Sequence, residues 1–129
     1  MSNKHSISWF EIPTKDLERA QKFYETIFNF KMVPMDVAEL KMRLFPIENM
    51  NEDTVSGALV YNEEFYNIQE NTGVLIYLNG NPDLQNILDR VENAGGKVIV
   101  PKTQISPEHG NMGVIMDTEG NRIGLHSNQ

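Results

Sequence analysis

The sequence contains no cysteine among its 129 residues. Disulfide bridges, thiolate catalysis and cysteine-ligated metal sites are therefore excluded. Because small secreted domains often depend on disulfides, this absence also favours a cytoplasmic protein. The chain is long enough to bury a core without such cross-links, since domains of roughly 100–150 residues commonly fold alone.

Long hydrophobic runs and positive charge are also scarce. No apolar segment approaches the ~20 residues of a membrane span, and the first residues lack the apolar core of a signal peptide. Lysine and arginine total 11 against 18 acidic residues, which gives a net charge of −7. Nucleic acids and anionic membranes bind basic proteins, so neither is an expected partner. The sequence also lacks a Walker loop, a dinucleotide fingerprint and a nucleophile elbow.

The first half of the chain reads as a strand, a helix and three further strands. Residues 6–13 are rich in aromatic and β-branched types and predict a strand. Thr14 or Asp16 can cap a helix, which Asn29 is expected to end in the left-handed conformation. Strands are predicted over 30–37, 41–47 and 56–61, with polar loops over 48–54 and 62–71.

The second half repeats this order. A strand is predicted over 73–79, followed by a helix with Asn81 as its cap and Pro82 at its first position. Three strands follow, over 97–105, 111–117 and 122–127. The first predicted helix matches the second when the sequence is shifted by 67 residues, so that Leu17 corresponds to Leu84. The pattern predicts an α+β domain of two βαβββ modules, about 5–61 and 72–127. A ferredoxin-like fold does not account for all of the predicted strands.

Both ends of the chain resemble the vicinal oxygen chelate superfamily of glyoxalases, bleomycin resistance proteins and dioxygenases. The resemblance rests on the segments 9–13, 16–20, 23–24, 94–98, 101–103 and 117–127. It implies two βαβββ modules that form a cleft between curved mixed sheets, a small-molecule ligand in that cleft, and a homodimer. It does not specify an activity, because this fold supports isomerases, dioxygenases and plain binding proteins.

The metal-dependent members of the superfamily hold a divalent ion with four inward side chains, and the resemblance places these positions here. They fall on Ile7 or Ser8, Ala58 or Leu59, Gly73 or Val74, and Gly124. Apolar side chains and glycine cannot ligate a hard or borderline cation. We therefore expect neither the superfamily's metal nor any other cofactor.

Strand alternation predicts which side chains face the cleft. In the first strand Trp9 and Glu11 are expected to face it, while Phe10 and Ile12 face the helix. In the last strand Arg122, Gly124 and His126 are expected to face it. In the third strand the same reasoning places Lys41, Arg43 and Phe45 inward and assigns Met42 and Leu44 to packing.

Glu11 and His126 are the candidate catalytic residues, because a carboxylate and an imidazole can both act as general bases. The candidate ligand-binding residues are Trp9, Arg43, Lys41, Phe45 and His109. Three functions stay open at this point: a metal-independent lyase or isomerase acting on a small carbonyl compound, a non-catalytic binder of an antibiotic or toxic metabolite, and a metal enzyme using His5 or His126 with Glu11. Each candidate residue also has a purely structural interpretation.

Overall fold

The computed structural model of the protein describes residues 5–37, 39–48, 54–63, 68 and 72–129, without the side chain of Val37. Most of the predicted loops over 48–54 and 62–71 lie outside the described residues.

The described elements follow the predicted order of strand, helix and three strands, twice. The first series consists of β1 (Trp9–Pro13), α1 (Leu17–Phe28), β2 (Val33–Val37), β3 (Leu40–Leu44) and β4 (Ser56–Tyr61). The second consists of β5 (Tyr77–Asn79), α2 (Gln85–Val91), β6 (Lys97–Ser106), β7 (Gly110–Met116) and β8 (Arg122–Ser127). The predicted α+β class is confirmed.

Each series forms one four-stranded mixed sheet, and the two sheets have the same topology. Their strand orders are β1-β4-β3-β2 and β5-β8-β7-β6. The first strand of each series pairs parallel with the last strand, and the other pairs are antiparallel. The chain is thus built as two βαβββ modules that follow one plan.

Matching backbone hydrogen bonds define the repeat between the modules. The N–H of Thr14 donates to the Val60 carbonyl at 2.8 Å, and the N–H of Gly80 donates to the His126 carbonyl at 2.6 Å. These equivalent bonds lie 66 residues apart (14 to 80, 60 to 126). The buried helical positions recur at the predicted shift of 67: Leu17, Ala20 and Tyr24 against Leu84, Ile87 and Val91. The connection from first strand to helix is therefore one residue longer in the second module.

The ends of α1 are formed by the predicted residue types. Asp16 is the N-cap, and its side chain accepts a hydrogen bond from the Arg19 N–H at 3.0 Å. Thr14, the alternative cap, instead donates its hydroxyl to the Val60 carbonyl. Asn29 ends the helix at φ 56°, in the left-handed region.

The predicted start of α2 is wrong. The Asn81 side-chain oxygen accepts from the backbone N–H of Asn128, so it ties down the chain terminus and does not cap the helix. The helix begins at Gln85, and Asp83 accepts the Gln85 N–H at 2.9 Å.

Both helices pack against one face of the two sheets, which we call the helix face. Ile12 and Leu59 of the first module and Leu78 and Leu125 of the second meet there in a single buried core. Paired residues on neighbouring strands point to the same side of a sheet, and successive residues of one strand point to opposite sides. The residues that alternate with these core residues therefore point away from the helices, to the side that we call the open face.

The buried carboxylate of Glu119, in the turn between β7 and β8, joins the second module to the start of α1. It accepts the backbone N–H groups of Lys15 and Asp16 at 2.8 and 2.7 Å and forms a two-point ion pair with Arg19. Burial alone would raise the pKa of Glu119, but the hydrogen bonds from Arg19, Asp16, Thr118 and Lys15 outweigh it and lower the pKa. A negative charge at the first turn also complements the helix dipole.

A second buried contact lies one turn further along α1. The Tyr24 hydroxyl donates to Asp117 at 2.8 Å, while the N–H groups of Glu119 and Asn121 donate to the other Asp117 oxygen. Burial raises the pKa of Asp117 and, with the adjacent carboxylate, raises that of Tyr24 well above its ordinary value. The β7–β8 turn is therefore held by α1 through two carboxylates.

We expect Glu119→Gln to lower the free energy of unfolding at neutral pH by about 1–3 kcal/mol, because it weakens the charge-assisted bonds to Arg19 and the helix start. A carboxylate with a lowered pKa contributes stability above its unfolded pKa of about 4.3 and loses it as the pH falls through the folded value. The difference between wild type and Glu119→Gln should therefore narrow below about pH 4.

Urea unfolding of wild type and of Glu119→Gln, from neutral pH to below about pH 4, measures this difference in the free energy of unfolding. Glu18 is exposed in the first turn of α1, the turn that Glu119 contacts. Glu18→Gln is therefore the matched control and should change the free energy of unfolding by no more than ~0.5 kcal/mol. Equal destabilisation by the two variants, or a difference that does not depend on pH, would contradict the role assigned to Glu119.

Candidate functional site

The open face of β1 carries Trp9 and Glu11, as alternation predicts. The Trp9 indole N–H donates to the Glu11 carboxylate at 3.3 Å. Glu11 pairs in register with Ala58 of β4, whereas the neighbouring pair Ile12 and Leu59 lies in the core of the helix face. The structure thus places the Glu11 carboxylate on the side of the sheet away from the helices.

Glu11 borders a recess between the two modules, which we call the Glu11 cleft. One part, of about 140 Å³, lies between β1 and the start of β8. An adjoining part of about 380 Å³ extends toward the segment before β5. Both parts are lined by Glu11, Pro13, Thr72, Val74 and Asn121, with Phe10, Ile12, Ile76, Arg122 and Ile123 in the first and Ile68 and Gly73 in the second.

Arg122 is the cationic side chain of this cleft. Its Nη2 donates to the Gly73 carbonyl at 3.1 Å. Its Nε is buried and has no hydrogen-bond partner in the part of the chain that the structure describes. A buried guanidinium N–H without a partner is costly, so the group is suited to an oxygen atom of a ligand.

Asn121 sets the position of Arg122 relative to Glu11. Its side-chain amide donates to the Pro13 carbonyl at the end of β1 and to the Asp117 carboxylate, at 2.8 and 3.2 Å. The residue that follows Asn121 begins β8, while Glu11 lies two residues before Pro13. The same turn that α1 holds therefore brings the carboxylate and the guanidinium into one cleft.

Arg122 was missing from the residues singled out as catalytic or ligand-binding from the sequence. Alternation in the last strand did place it toward the cleft, which was the available signal. The contact of the Arg122 guanidinium with the Gly73 carbonyl joins residues that are far apart in sequence. The residue pattern of β8 therefore carries no information on it.

His126 and His109 lie at the other end of β8 from Arg122. Since a carbonyl oxygen only accepts, His126 Nε2 donates to the His109 carbonyl in their 2.6 Å contact. His109 Nδ1 contacts the Ser106 hydroxyl at 2.9 Å. Neither histidine is among the residues that line the two parts of the Glu11 cleft. His126 therefore lies outside the cleft that Glu11 borders.

The predicted direction of the third strand is wrong. Arg43 Nε donates to the side chain of Gln21 on α1 at 2.8 Å, and the Phe45 ring packs against Tyr24, so both residues point to the helix face. Lys41, two residues before Arg43, pairs with Tyr61, which also packs against the core of the helix face.

Met42 and Leu44 instead lie on the open face. Both belong to a small apolar cluster with the buried side chains of Ala58 and Val60. Alternation could not show which set belonged to the helix side, because the open face of this sheet is apolar here as well. Lys41, Arg43 and Phe45 therefore do not line the Glu11 cleft.

The positions that correspond to the superfamily's metal ligands do not fit a divalent ion. Ala58 faces the open side with a methyl group, and a side chain at Gly124 would meet the Tyr77 ring, with Cβ only 2.5 Å from its Cδ1. Within the described ranges no three His, Asp or Glu side chains cluster in a way that could hold a metal. The donor set thus offers no site for the ion, and the expectation of a cofactor-free protein stays a prediction.

The family comparison agrees with this architecture. Residues 7–42 match the sequence model of the family described as bleomycin resistance protein-like N-terminal. No curated protein sequence matches the chain. Among the described residues, neither helix has the length and apolar character needed to cross a membrane.

Solved structures show the same fold. Glyoxalase I from Zea mays aligns with a TM-score of 0.67 and 23% identity over 93% of this chain, and the chain spans only 45% of the maize protein's length. A glyoxalase/bleomycin resistance protein from Albidiferax ferrireducens aligns with a TM-score of 0.69 and 12% identity over 97% of this chain and 100% of that one. A glyoxalase-related enzyme from Fulvimarina pelagi aligns with a TM-score of 0.66 and 18% identity, covering 95% and 88% of the two chains. The strand order, the repeated βαβββ module and these alignments show that the chain has the fold of the glyoxalase and bleomycin resistance proteins.

Proposed function

We propose that the protein binds a small compound with a carbonyl or carboxylate oxygen in the Glu11 cleft, without a metal ion. The buried, unpartnered Nε of Arg122 is the observation that carries this proposal. A ligand oxygen that accepts from this nitrogen would relieve the cost of burying it. The apolar side chains of Val74, Ile76 and Ile123 would surround the rest of the ligand.

The pair of Glu11 and Arg122 suits proton transfer next to a carbonyl group. The Glu11 carboxylate would take a proton from the carbon beside the carbonyl, and the electron pair would move onto the carbonyl oxygen as an enolate. Arg122 would stabilise that oxygen. Where the proton-donating carbon also carries a hydroxyl group, transfer of the hydroxyl proton to the enolate oxygen and return of the Glu11 proton to the former carbonyl carbon would complete an isomerisation. His126 is the weaker candidate base, since its Nε2 is engaged with the His109 carbonyl.

A non-catalytic binding protein is the second candidate. The match to the bleomycin resistance protein-like family covers residues 7–42, which include Trp9 and Glu11 on the open face of β1. A protein that only sequesters its ligand would use the same Arg122 anchor and would not need Glu11 as a base. The two candidates therefore differ in the role of Glu11.

Pyruvate, which carries both a ketone and a carboxylate, is a suitable probe. We expect Arg122→Met to weaken pyruvate binding by about 10- to 100-fold, as the loss of a hydrogen bond from a charged group predicts. Glu11→Gln should bind within about threefold of wild type, because it keeps the size of the side chain, but should abolish exchange of the pyruvate methyl protons in D₂O. Calorimetry measures the binding and proton NMR measures the exchange.

His126→Asn is the control and should leave both quantities unchanged. Exchange that survives in Glu11→Gln would contradict the catalytic proposal, and binding without exchange in wild type would favour the sequestering protein. Equal pyruvate affinity in wild type and Arg122→Met would overturn the ligand site itself.

We also propose that the open faces are covered by a second copy of the chain. Trp9, Val33, Met35 and Tyr77 are 42–50% exposed. Their strand pairing places all four on open faces. Large apolar side chains gathered on one side of a sheet are typical of an interface.

We expect sedimentation velocity to show a homodimer that Met35→Glu shifts toward monomer, raising the dimer dissociation constant by about tenfold or more because a charge would be buried. Thr26→Glu, on the exposed surface of α1, should leave the dimer intact. A monomeric wild type, or equal effects of the two variants, would contradict this assembly.

A further inference from the structure

A second cavity, of about 350 Å³, lies on the helix face, away from the Glu11 cleft. Four phenylalanine rings form its walls, from β1, from the end of α1 and from the residues after α1 and β3: Phe10, Phe28, Phe30 and Phe45. Leu78, Asn79 and Asn81 of the second module close the opposite side. We call this space the Phe cavity.

The rings of the Phe cavity form an ordered aromatic cluster. Phe28 and Phe30 are stacked with their planes 15° apart, and Phe45 meets Phe30 edge-on at 80°. Phe10 contacts Phe45 with a centroid distance of 5.3 Å. Aromatic rings in such mutual contact present both faces and edges to a further ring, since stacked and edge-to-face pairs are both favourable.

The Phe cavity is a recess open to solvent, not an enclosed void. Its volume lies within the range of ligand pockets, which begin at about 300 Å³. The adjoining rings of Phe23 and Tyr24 are fully buried, but the four rings of the cavity are only half-buried. A ligand would remove their remaining apolar surface from water, which is favourable in proportion to the area covered.

The polar groups at the second-module side of the cavity are donors. The Asn79 side-chain oxygen accepts from the Asn81 N–H, and the Asn81 side-chain oxygen accepts from the Asn128 N–H. The Asn81 amide therefore keeps its NH₂ group for a ligand, whereas Asn79 pairs with His126 and directs its side chain to the open face. Within the described part of the chain, no charged side chain lines the cavity.

We propose that the Phe cavity is a second ligand site, for a planar aromatic compound without charge that carries a hydrogen-bond acceptor. The rings take the aromatic body, and the Asn81 amide donates to the acceptor. Because the described lining residues carry no charge, the proposal names an uncharged ligand. Phe10 lines both this site and the Glu11 cleft, but Phe10 and Glu11 point to opposite faces of β1.

Prodan, a fluorescent naphthalene with one ketone and no charge, is the probe for this site. Its emission should shift to shorter wavelength on binding wild type, with one equivalent per chain. Val55 also lines the cavity, and we expect Val55→Phe, which adds a ring there, to weaken prodan binding by about tenfold or more. Asn81→Asp keeps the oxygen that accepts from Asn128 but removes the NH₂ donor, and should weaken binding by about tenfold.

Arg122→Met is the matched control, because it alters the Glu11 cleft and should leave prodan affinity within about twofold. Circular dichroism confirms that each variant is folded, and Asn81→Asp keeps the test valid if Val55→Phe does not fold. Absence of saturable prodan binding, or affinity lost in Arg122→Met and retained in Asn81→Asp, overturns the proposal. Because pyruvate tests the Glu11 cleft separately, failure at one site can be told apart from failure at the other.

Discussion

The contact between the Glu119 carboxylate and the first turn of α1 is the interaction on which the relative placement of the two modules depends. It satisfies two backbone N–H groups at the helix start and the Arg19 guanidinium at once. The next residues of the same turn bind the end of β1 through Asn121 and begin β8 at Arg122. A carboxylate that stabilises the fold therefore also determines which residues meet across the cleft.

The two faces of the sheets provide two different chemical environments. The open face of β1 contributes Glu11 to a cleft that also holds the Arg122 guanidinium, where charge can recognise or activate an oxygen atom. The helix face contributes phenylalanine rings and the Asn81 side-chain amide, which suit an uncharged ring. Adjacent residues of one strand, Phe10 and Glu11, belong to these two environments because successive side chains alternate.

Much of the architecture was predictable because local signals agree with the global fold. The N-cap at Asp16, the left-handed Asn29 and the apolar spacing of α1 all indicate the same helix. The repeat was also visible, although hydrogen bonds such as that from Gly80 show that the strands shift by 66 residues and the helices by 67. An alignment made on the helices alone cannot detect this difference in connection length.

The site was less predictable, for physical reasons that differ between residues. The direction of Glu11 was predictable because a carboxylate is rarely buried against a helix. Trp9 lies two residues earlier in the same strand and therefore faces the same side. In β3 the apolar residues share one face, but that face packs in an apolar cluster on the open side, while Arg43 bonds to α1 on the helix side. The alternation of Met42 and Arg43 therefore does not determine the orientation of the strand. The unpartnered nitrogen of Arg122 arises from contacts distant in sequence and has no local signature.

The chain has the fold of the glyoxalase and bleomycin resistance proteins, but the positions that the resemblance assigns to metal ligands hold no carboxylate, amide or imidazole. Metal analysis of protein purified without chelators or affinity tags, before and after incubation with zinc, nickel, manganese and iron(II) salts and gel filtration, tests most directly whether a metal binds here. We expect far less than one equivalent of any metal per chain. One equivalent retained by wild type and lost in Glu11→Gln would instead show a metal site at this cleft.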